Sequence, residues 1–455
     1  MSTGAERDGL PLPERLFALV STSIGTFTST LDFGVVNVAL PTLSLAFGVS
    51  AAEAIWVVTA YQLAVMATLL LFAALGDSRG VKRIYVPAMF AFMAGSVGCA
   101  LSPALGILLF MRVLQGVASS ASNVLTAPMN RMLYPRRMLG RAIANNSLFV
   151  AAGSAVGPTL GGLILAVAPW QALFWVNVPI LVIGGLFGLR YLPDNPGTGK
   201  RIDFQSVLLA AVGMCATIYG LQDISRHDAP LRILTILGIG LATLAVFIVR
   251  QLHLAHPLLA VDLFRVPVVS RSVIAGSLTW LAFGSAFVSL PFYMQRVLGR
   301  TPFETGLLMA AWPLATIVVT RVVGPLTDRF SPALIGTPAL IVSAAGFAMF
   351  ALVPPNPLAL AAAAAICGTG MGLFQTPNNY AIIGATPPHE TGRATGIITT
   401  IRTCANTAGA AVVAIAFGIA GVSAAGLWIA AVACTLAAII SVSRLGPDLA
   451  ELRSR

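Results

Sequence analysis

The stretch LFALVSTSIGTFTSTLDFGVVNVALPTL, residues 16–43, holds 28 residues and a single charge, that of Asp32. A helix needs about 20 apolar residues to cross the hydrocarbon core of a bilayer. Lipid offers the backbone no hydrogen-bond partners, so a crossing segment must satisfy its own donors and acceptors, as a helix does. The stretch therefore predicts a membrane-spanning helix.

Stretches of this kind fill the chain. Of its 455 residues, 57% are apolar and 9% are charged, whereas roughly 25% of residues are charged in ordinary globular proteins. We find fourteen apolar stretches long enough to span a bilayer, the last of them near residues 423–443. These numbers exclude a soluble protein and predict an all-α integral membrane protein with fourteen transmembrane helices.

Positive charge is distributed unevenly over the predicted loops. The terminal tails and the even-numbered loops hold 20 Lys and Arg residues, and the odd-numbered loops hold four. Cytoplasmic loops carry the excess of Lys and Arg in membrane proteins, so we expect both termini in the cytoplasm. Abundant Ala, Gly and Arg with little Lys favour a bacterial cytoplasmic membrane. The net charge is +11, but the Lys and Arg residues occur in runs of at most two. This distribution does not fit a nucleic-acid partner.

A weak internal repeat divides the chain. LGDSRGVKR (75–83) follows predicted helix 2 and GPLTDRF (324–330) follows predicted helix 10, and each places an Asp near an Arg. Such paired loops fit the repeated halves of secondary transporters, with helices 7 and 8 as an inserted pair. The predicted divisions are a tail 1–15, a six-helix bundle 16–190, a linker with the inserted helices 191–269, a second six-helix bundle 270–443 and a tail 444–455.

Two charges inside predicted helices 1 and 4 are candidates for proton coupling. A carboxylate in hydrocarbon is costly, so Asp32 is expected to face a water-filled cavity or a partner and to handle a proton or cation. The alternative is a purely structural hydrogen-bonded Asp. Arg112, in FMRVLQGVASSASN (110–123), cannot shed its proton and must be paired or hydrated. The alternative for Arg112 is a side chain that snorkels to the interface.

Predicted helix 5 contains GSAVGPTLGG (153–162). Gly153, Gly157 and Gly161 recur every four residues and form one smooth stripe, while Pro158 and Gly162 add a kink and a close contact. A single Gly-x-x-x-Gly pattern serves packing in many membrane helices. This longer combination is more specific.

Several polar residues within predicted spans are candidates for a substrate cavity. In a helical bundle each such residue serves equally well as an interhelical hydrogen-bond partner, so both interpretations stay open. The candidates are Asn37, Tyr61, Gln62, Gln115, Gln375, Asn378, Asn379 and Arg402.

Five motifs in this order resemble those of the major facilitator superfamily, in its fourteen-helix drug:proton antiporter branch. The resemblance covers essentially the full length, and each motif alone is weak. The motifs are LDFGVVNVALP (31–41), RVLQG (112–116), GSAVGPTLGG (153–162), WQALFWVNVP (170–179) and IDF (202–204).

This resemblance implies roles for the motif residues. Asp32 and Arg112 would take part in proton coupling, the helix 5 glycines would shape the interface between the halves, and the loop after helix 2 would govern conformational switching. The residues of this gating loop and its second copy are Gly76, Asp77, Gly80, Lys82, Arg83, Asp328 and Arg329.

The chain also departs from the family pattern. Ala73, Ser78 and Val81 replace the usual residues of the loop motif, and Gln171 with Ala172 replace an Arg and a Trp before helix 6. Exporters of cationic drugs often carry further membrane acids in the second half. Here helices 10 and 13 offer Arg321 and Arg402 instead, which leaves neutral or anionic substrates open.

These observations predict a monomeric transporter that rocks two helical halves around a midplane site. It would export small amphipathic organic molecules, such as drugs, antiseptics or antibiotics, in exchange for protons. The proton motive force would supply the energy, with no cofactor and no metal.

Two alternatives remain. One is a transporter of a single metabolite or natural product in the same fold. The other is a membrane-embedded enzyme or a sensor, which would need a catalytic constellation or a signalling domain. The four histidines fall in predicted loops without metal-ligand or triad spacing. DNPGTGKR (194–201) lacks the first Gly and the final Ser or Thr of a phosphate-binding loop.

Overall fold

The structure is a computed structural model. It describes residues 9–135, 138–199, 202–224, 230–254, 257–327, 329–386 and 391–444, apart from the side chains of residues 139, 140, 143, 391 and 392. Regular secondary structure in these ranges is helical throughout, with no strand among them. The predicted all-α class is confirmed.

Within the described residues, fourteen helices are long and apolar enough to cross a membrane, the number predicted from the sequence. They are α1 (Glu14–Ala46), α2 (Ala51–Arg79), α3 (Val81–Ala100), α4 (Leu105–Leu133), α5 (Ala144–Val167), α6 (Ala172–Tyr191), α7 (Phe204–Asp223), α8 (Pro230–His253), α9 (Pro267–Val297), α10 (Pro302–Thr327), α11 (Pro332–Leu352), α12 (Pro357–Gly384), α13 (Arg393–Ala420) and α14 (Ala425–Val442).

Local sequence fixes several helix starts. Ser50 and Glu53 form a capping box at α2, in which each side chain accepts a hydrogen bond from the other residue's backbone N–H. Pro332 and Pro357 occupy first positions of α11 and α12, where the missing N–H of proline costs nothing. Because the helices start at these residues, the connections between them are short, and most of the described chain lies in the spanning helices.

The helices form two bundles with the same internal pairing. In the first bundle α1 packs on α5 and α6, and α4 packs on α2 and α3. In the second bundle α9 packs on α13 and α14, and α12 packs on α10 and α11. Helices α9–α14 therefore repeat the arrangement of α1–α6.

The inserted helices α7 and α8 pack on each other, and α7 also contacts α2 of the first bundle and α13 of the second. Asp203 caps α7 by accepting hydrogen bonds from the backbone and side chain of Ser206, and Arg250 of α8 donates to it at 3.1 Å. Partial desolvation raises the pKa of Asp203, but these hydrogen bonds and the Arg250 charge outweigh it and leave the pKa below its ordinary value.

The two bundles meet at the end of the molecule opposite the termini. One apolar cluster there joins residues 31–43 of α1 and 54–58 of α2 to residues 288–292 of α9 and 410–417 of α13. At the other end, the cluster around Tyr85 and Met129 contains first-bundle residues alone. The cluster around Val269 and Ile397 contains only residues of the second bundle and its preceding segment. The halves are thus joined at one end and separate at the other.

Helices α5 and α10 provide the most intimate contact between the bundles. A Cβ on Gly306 would overlap the carbonyl oxygen of Pro158, and a Cβ on Gly162 would overlap that of Pro302. Small residues let membrane helices approach backbone to backbone, where van der Waals contact is strongest. This contact therefore tolerates no side chain at Gly162 or Gly306.

We predict that Gly306→Ala destabilises the protein by about 1–3 kcal/mol, because the added methyl group has to push α5 away from α10. The apparent unfolding temperature of the purified protein measures this effect. Gly324→Ala is the matched control on the same helix, since no atom lies within 4 Å of the position of its added Cβ. Equal unfolding temperatures for the two variants would contradict the prediction.

Candidate functional site

A buried ion pair lies in the first bundle. The guanidinium of Arg112 in α4 donates a hydrogen bond from Nη1 to Oδ2 of Asp32 in α1 at 2.6 Å. Both side chains are 0% exposed. Asp32 thus has a partner at short range, and Arg112 does not snorkel to the interface.

Three further groups hold the pair in place. Asn177 of α6 donates to the other Asp32 carboxylate oxygen at 2.9 Å. The Nε of Arg112 donates to the carbonyl oxygen of Val57 in α2 at 3.0 Å, and its Nη1 also donates to Gln115 at 2.8 Å. The charge pair consequently ties together four helices of one bundle.

Further side chains surround the guanidinium of Arg112. Arg112 lies over the ring of Tyr61 at 4.3 Å, within cation–π range. The Tyr61 hydroxyl donates to Ser119 at 2.6 Å, and Ser119 donates to Ser29 of α1 at 3.0 Å. Gln115 donates to Ser96 of α3 at 2.7 Å. Of the three guanidinium nitrogens of Arg112, Nη2 alone has no hydrogen-bond partner among the residues described.

The glycine stripe of α5 packs beside this pair. The positions of added Cβ atoms on Gly153, Gly157 and Gly161 fall against the α1 backbone, at residues 27–35 around Asp32. These three glycines therefore shape a contact inside the first bundle, which corrects the expectation that they shape the interface between the halves. The α5 residues that contact the other half are Pro158 and Gly162.

Four of the eight polar cavity candidates make hydrogen bonds within the helix bundles. Tyr61 and Gln115 belong to the ion-pair network, and Asn37 is buried and donates to the Phe33 carbonyl in its own helix. Asn378 donates to the Ser272 carbonyl and accepts from Arg444. These contacts show a packing role for the four residues, although Oδ1 of Asn37 finds no hydrogen-bond partner among the residues described. Their role in a substrate cavity stays a prediction. Gln62, Gln375 and Asn379 are half-buried, and Arg402 is exposed.

Arg402 stands beside a row of aromatic rings that crosses between the bundles. Its guanidinium carbon lies 5.7 Å from the ring centroid of Trp280 in α9. The row continues through Phe283 and Phe287 to Phe33 of α1, with successive centroids 5.4, 5.1 and 5.2 Å apart. Trp280, Phe283 and Phe33 are partly exposed. The row therefore offers ring faces and a cation next to the contact between the halves.

The loop between α2 and α3 is bound by the segment that follows α6. The Asp77 carbonyl accepts hydrogen bonds from Thr198, and Lys82 pairs with Asp194 at 3.2 Å. Gly80 has a φ of +96°, a conformation that favours glycine, and a Cβ there would overlap the Asn195 carbonyl. Residues 194–199 thus pack against the predicted gating loop and form hydrogen bonds and an ion pair with it.

The other gating residues make fewer contacts. Gly76 packs against Leu125, while Asp77 and Arg83 are exposed. In the second copy Arg329 is exposed, and Asp328 lies outside the described residues.

Sequence reasoning missed three features. Asn177 lies in a quoted motif, but its side chain gave no signal of a carboxylate partner. Asp223 ends α7 with a fully buried side chain, 3.6 Å from Arg232, and looked like a loop residue. Residues 194–199 were compared only with a phosphate-binding loop, because their contact with the α2–α3 loop spans more than 100 residues of sequence.

Comparison with known proteins decides the family. The sequence profile described as Major Facilitator Superfamily matches residues 22–410 and 273–451. The chain belongs to the major facilitator superfamily. It is therefore a multi-pass membrane transporter, as its fourteen spans indicate.

Relatives of the chain carry different transport names. It is 38% identical to the uncharacterised transporter YebQ of Escherichia coli (strain K12), over 99% of each sequence. It is 30% identical to the riboflavin transporter RibZ of Clostridioides difficile (strain 630), over 86% of each. It is 27% identical to the multidrug resistance protein Stp of Mycobacterium tuberculosis (strain ATCC 25618 / H37Rv), over 88% of this chain and 75% of Stp. These names share transport but not a substrate.

Solved structures agree on the fold. A crystal structure of a POT family transporter in complex with 5-aminolevulinic acid superposes with a TM-score of 0.73, over 94% of this chain and 95% of that one. The sequence identity is 13%, so the likeness concerns the fold alone.

We predict that Asp32→Asn destabilises this major facilitator protein more than Arg112→Gln does. Removing one partner of a buried ion pair costs about 3–5 kcal/mol, because the other charge is left uncompensated. A carboxyl group can bind a proton and become neutral, whereas a guanidinium cannot. Apparent unfolding temperatures of the two variants at neutral pH measure the difference.

The double variant Asp32→Asn with Arg112→Gln serves as the control. Because it leaves no unpaired charge, it should unfold at a higher temperature than Asp32→Asn alone. A double variant that is less stable than both single variants would show that the pair does not behave as a charge pair.

Proposed function

We propose that this transporter exports small amphipathic organic molecules in exchange for protons, by alternating access. The observation that carries the proposal is the Asp32–Arg112 pair, since a carboxylate and a guanidinium are buried together deep in the membrane-spanning part of one bundle. Intramembrane ionisable residues are rare and mark proton or ion pathways. The stability of the fold alone does not require such a pair, since apolar residues often replace buried ion pairs without loss.

Protonation of Asp32 is the switching step in this mechanism. A proton taken from the outer side binds the carboxylate and removes its charge, which weakens the attraction between α1 and α4. Helix α1 also contacts α5 and the second bundle, so a change in its position is felt at the contact between the halves. Release of the proton to the cytoplasm restores the ion pair.

The arrangement of the halves fits one state of this cycle. The bundles are apart at the end that carries the termini, and the ion pair is formed. With both termini in the cytoplasm of a bacterium, this is the inward-open state after proton release. Substrate would then enter from the cytoplasm or the inner leaflet.

The driving force is sufficient. One proton moving down a potential of ~100 mV supplies about 2.3 kcal/mol, which corresponds to roughly a fiftyfold concentration ratio of substrate. A pH gradient adds to this. The proton motive force therefore replaces any need for a cofactor in the proposed cycle.

Transport of a single metabolite is the second candidate function. Its support is the relative RibZ, whose name is riboflavin transporter, at 30% identity. Relatives named multidrug resistance proteins, such as Stp, support the broader substrate range. A panel of structurally unrelated compounds separates the two candidates, because a specific transporter would move one chemical family only.

We expect substrate-dependent proton movement in proteoliposomes that contain the wild-type protein and a pH-sensitive dye in the lumen. The panel consists of cationic, neutral and anionic amphipathic compounds. Asp32→Asn should reduce the proton signal to background while substrate exchange without a gradient persists, because exchange needs no net proton transfer.

Glu14→Gln is the matched control, since it removes a carboxylate from the exposed start of the same helix α1. This variant should retain the full proton signal. Substrate-dependent proton flux in the Asp32→Asn variant would contradict the proposed mechanism and require another coupling residue. Substrate transport by the wild type that is equally fast with and without a proton gradient would indicate a facilitator.

A further inference from the structure

We propose that the preferred substrates are organic anions that carry an aromatic ring, and that Arg402 binds their acidic group. This inference rests on the proposed function, because it names the chemical class that the transporter moves. It is carried by the position of Arg402, the aromatic row beside it and the balance of charge within the membrane-spanning helices.

Arg402 is an exposed charged residue within a membrane-spanning helix. It lies nine residues after the first residue of α13 (Arg393–Ala420), and its side chain is exposed. A guanidinium that cannot lose its proton is not stable against lipid at this depth. We infer that it projects into the water-filled cleft between the separated parts of the two bundles.

The guanidinium has capacity to bind an anion. Its contact within the described part of the chain is the ring of Trp280, and no carboxylate or other hydrogen-bond partner approaches it there. Arg112, by contrast, donates hydrogen bonds to Asp32, Gln115 and Val57. Guanidinium groups offer a planar set of donors that matches a carboxylate or a similar acid in two parallel hydrogen bonds.

The neighbouring rings explain why the anion should be aromatic. Trp280 and Phe283 of α9 are half-buried and lead, ring to ring, to Phe287 and to Phe33 of the other bundle. A flat apolar group can stack on these faces while its acidic group reaches Arg402. Such a ligand would contact both halves of the transporter at once.

The charge balance disfavours a cation in this place. Among the acidic residues that the structure describes, Asp32 alone lies in the middle of a span, and Arg112 neutralises it. Asp223 and Glu304 lie near helix ends and contact Arg232 and Arg300. The one unpaired charge beside the aromatic row is thus positive.

Equilibrium dialysis of the purified full-length protein with 2-naphthoate and 2-naphthamide tests this proposal. The two probes share their ring system and differ by one charge at neutral pH. We expect the wild type to bind the acid about ten- to a hundredfold more tightly, the range of a hydrogen bond to a charged group. Arg402→Gln should bring the two affinities to within about twofold, and Arg402→Lys should keep part of the preference.

Arg321→Gln is the matched control. Arg321 is an exposed arginine within α10, and no contact with the aromatic row is among those described for it, so this variant should retain the wild-type preference. Empty micelles measure the partition of both probes into detergent. Elution volume and unfolding temperature verify that each variant is folded.

Equal affinities of the wild type for acid and amide, or no binding of either, overturn the proposal even if every Arg402 variant fails to fold. A full preference retained by folded Arg402→Gln overturns the role of Arg402. The dialysis uses no gradient and leaves Asp32 unchanged, so a failure of proton coupling with the acid preference intact rejects the proposed exchange mechanism alone.

Discussion

A charge within the hydrocarbon layer has to be paired or hydrated, and the first bundle is arranged around that requirement. Asp32 and Arg112 neutralise each other in a site that excludes water, and α1, α2, α4 and α6 each supply a group to the pair. The helices that carry these groups cannot shift independently, because any shift would leave a buried donor or acceptor unpaired. In the proposed mechanism, protonation of Asp32 therefore alters the contacts of all four helices together.

Close backbone packing is the second constraint, and it operates at two different contacts. Gly153, Gly157 and Gly161 bring α5 against α1 around the ion pair, whereas Gly162 and Gly306 bring α5 against α10 of the other bundle. Helix α5 therefore connects the charge site with the contact between the halves. A displacement of α1 would therefore press on α5, whose contacts with α1 and α10 carry no side chain at these glycines.

The sequence was sufficient to predict the class of fold, the fourteen helices and the family, because lipid imposes a simple length and composition rule on each span. The residues of the charge pair were also predictable, since an Asp or Arg in a span needs an explanation. The hydrogen-bond partners of the pair were not predictable from the sequence. Asn177 and Val57 reach the pair from other helices, and the fate of Asn37 and Asn378 depended on which carbonyl or side chain lay opposite. Composition indicates that a polar residue needs a partner, but only packing indicates which one.

The inserted helices make the two sides of the molecule unequal. Helix α7 lies across the seam between α2 and α13, while on the opposite side α5 and α10 meet with nothing outside them among the helices described. A lipid diffusing in the bilayer would find the first seam covered and the second one bare. Under the proposed function, an amphipathic compound dissolved in the membrane would consequently arrive from the α5–α10 side. It would pass at the end that carries the termini, since at the opposite end the two backbones touch at Gly162 and Gly306. Concentration in the leaflet, rather than in the aqueous phase, would then set how fast the cleft is filled.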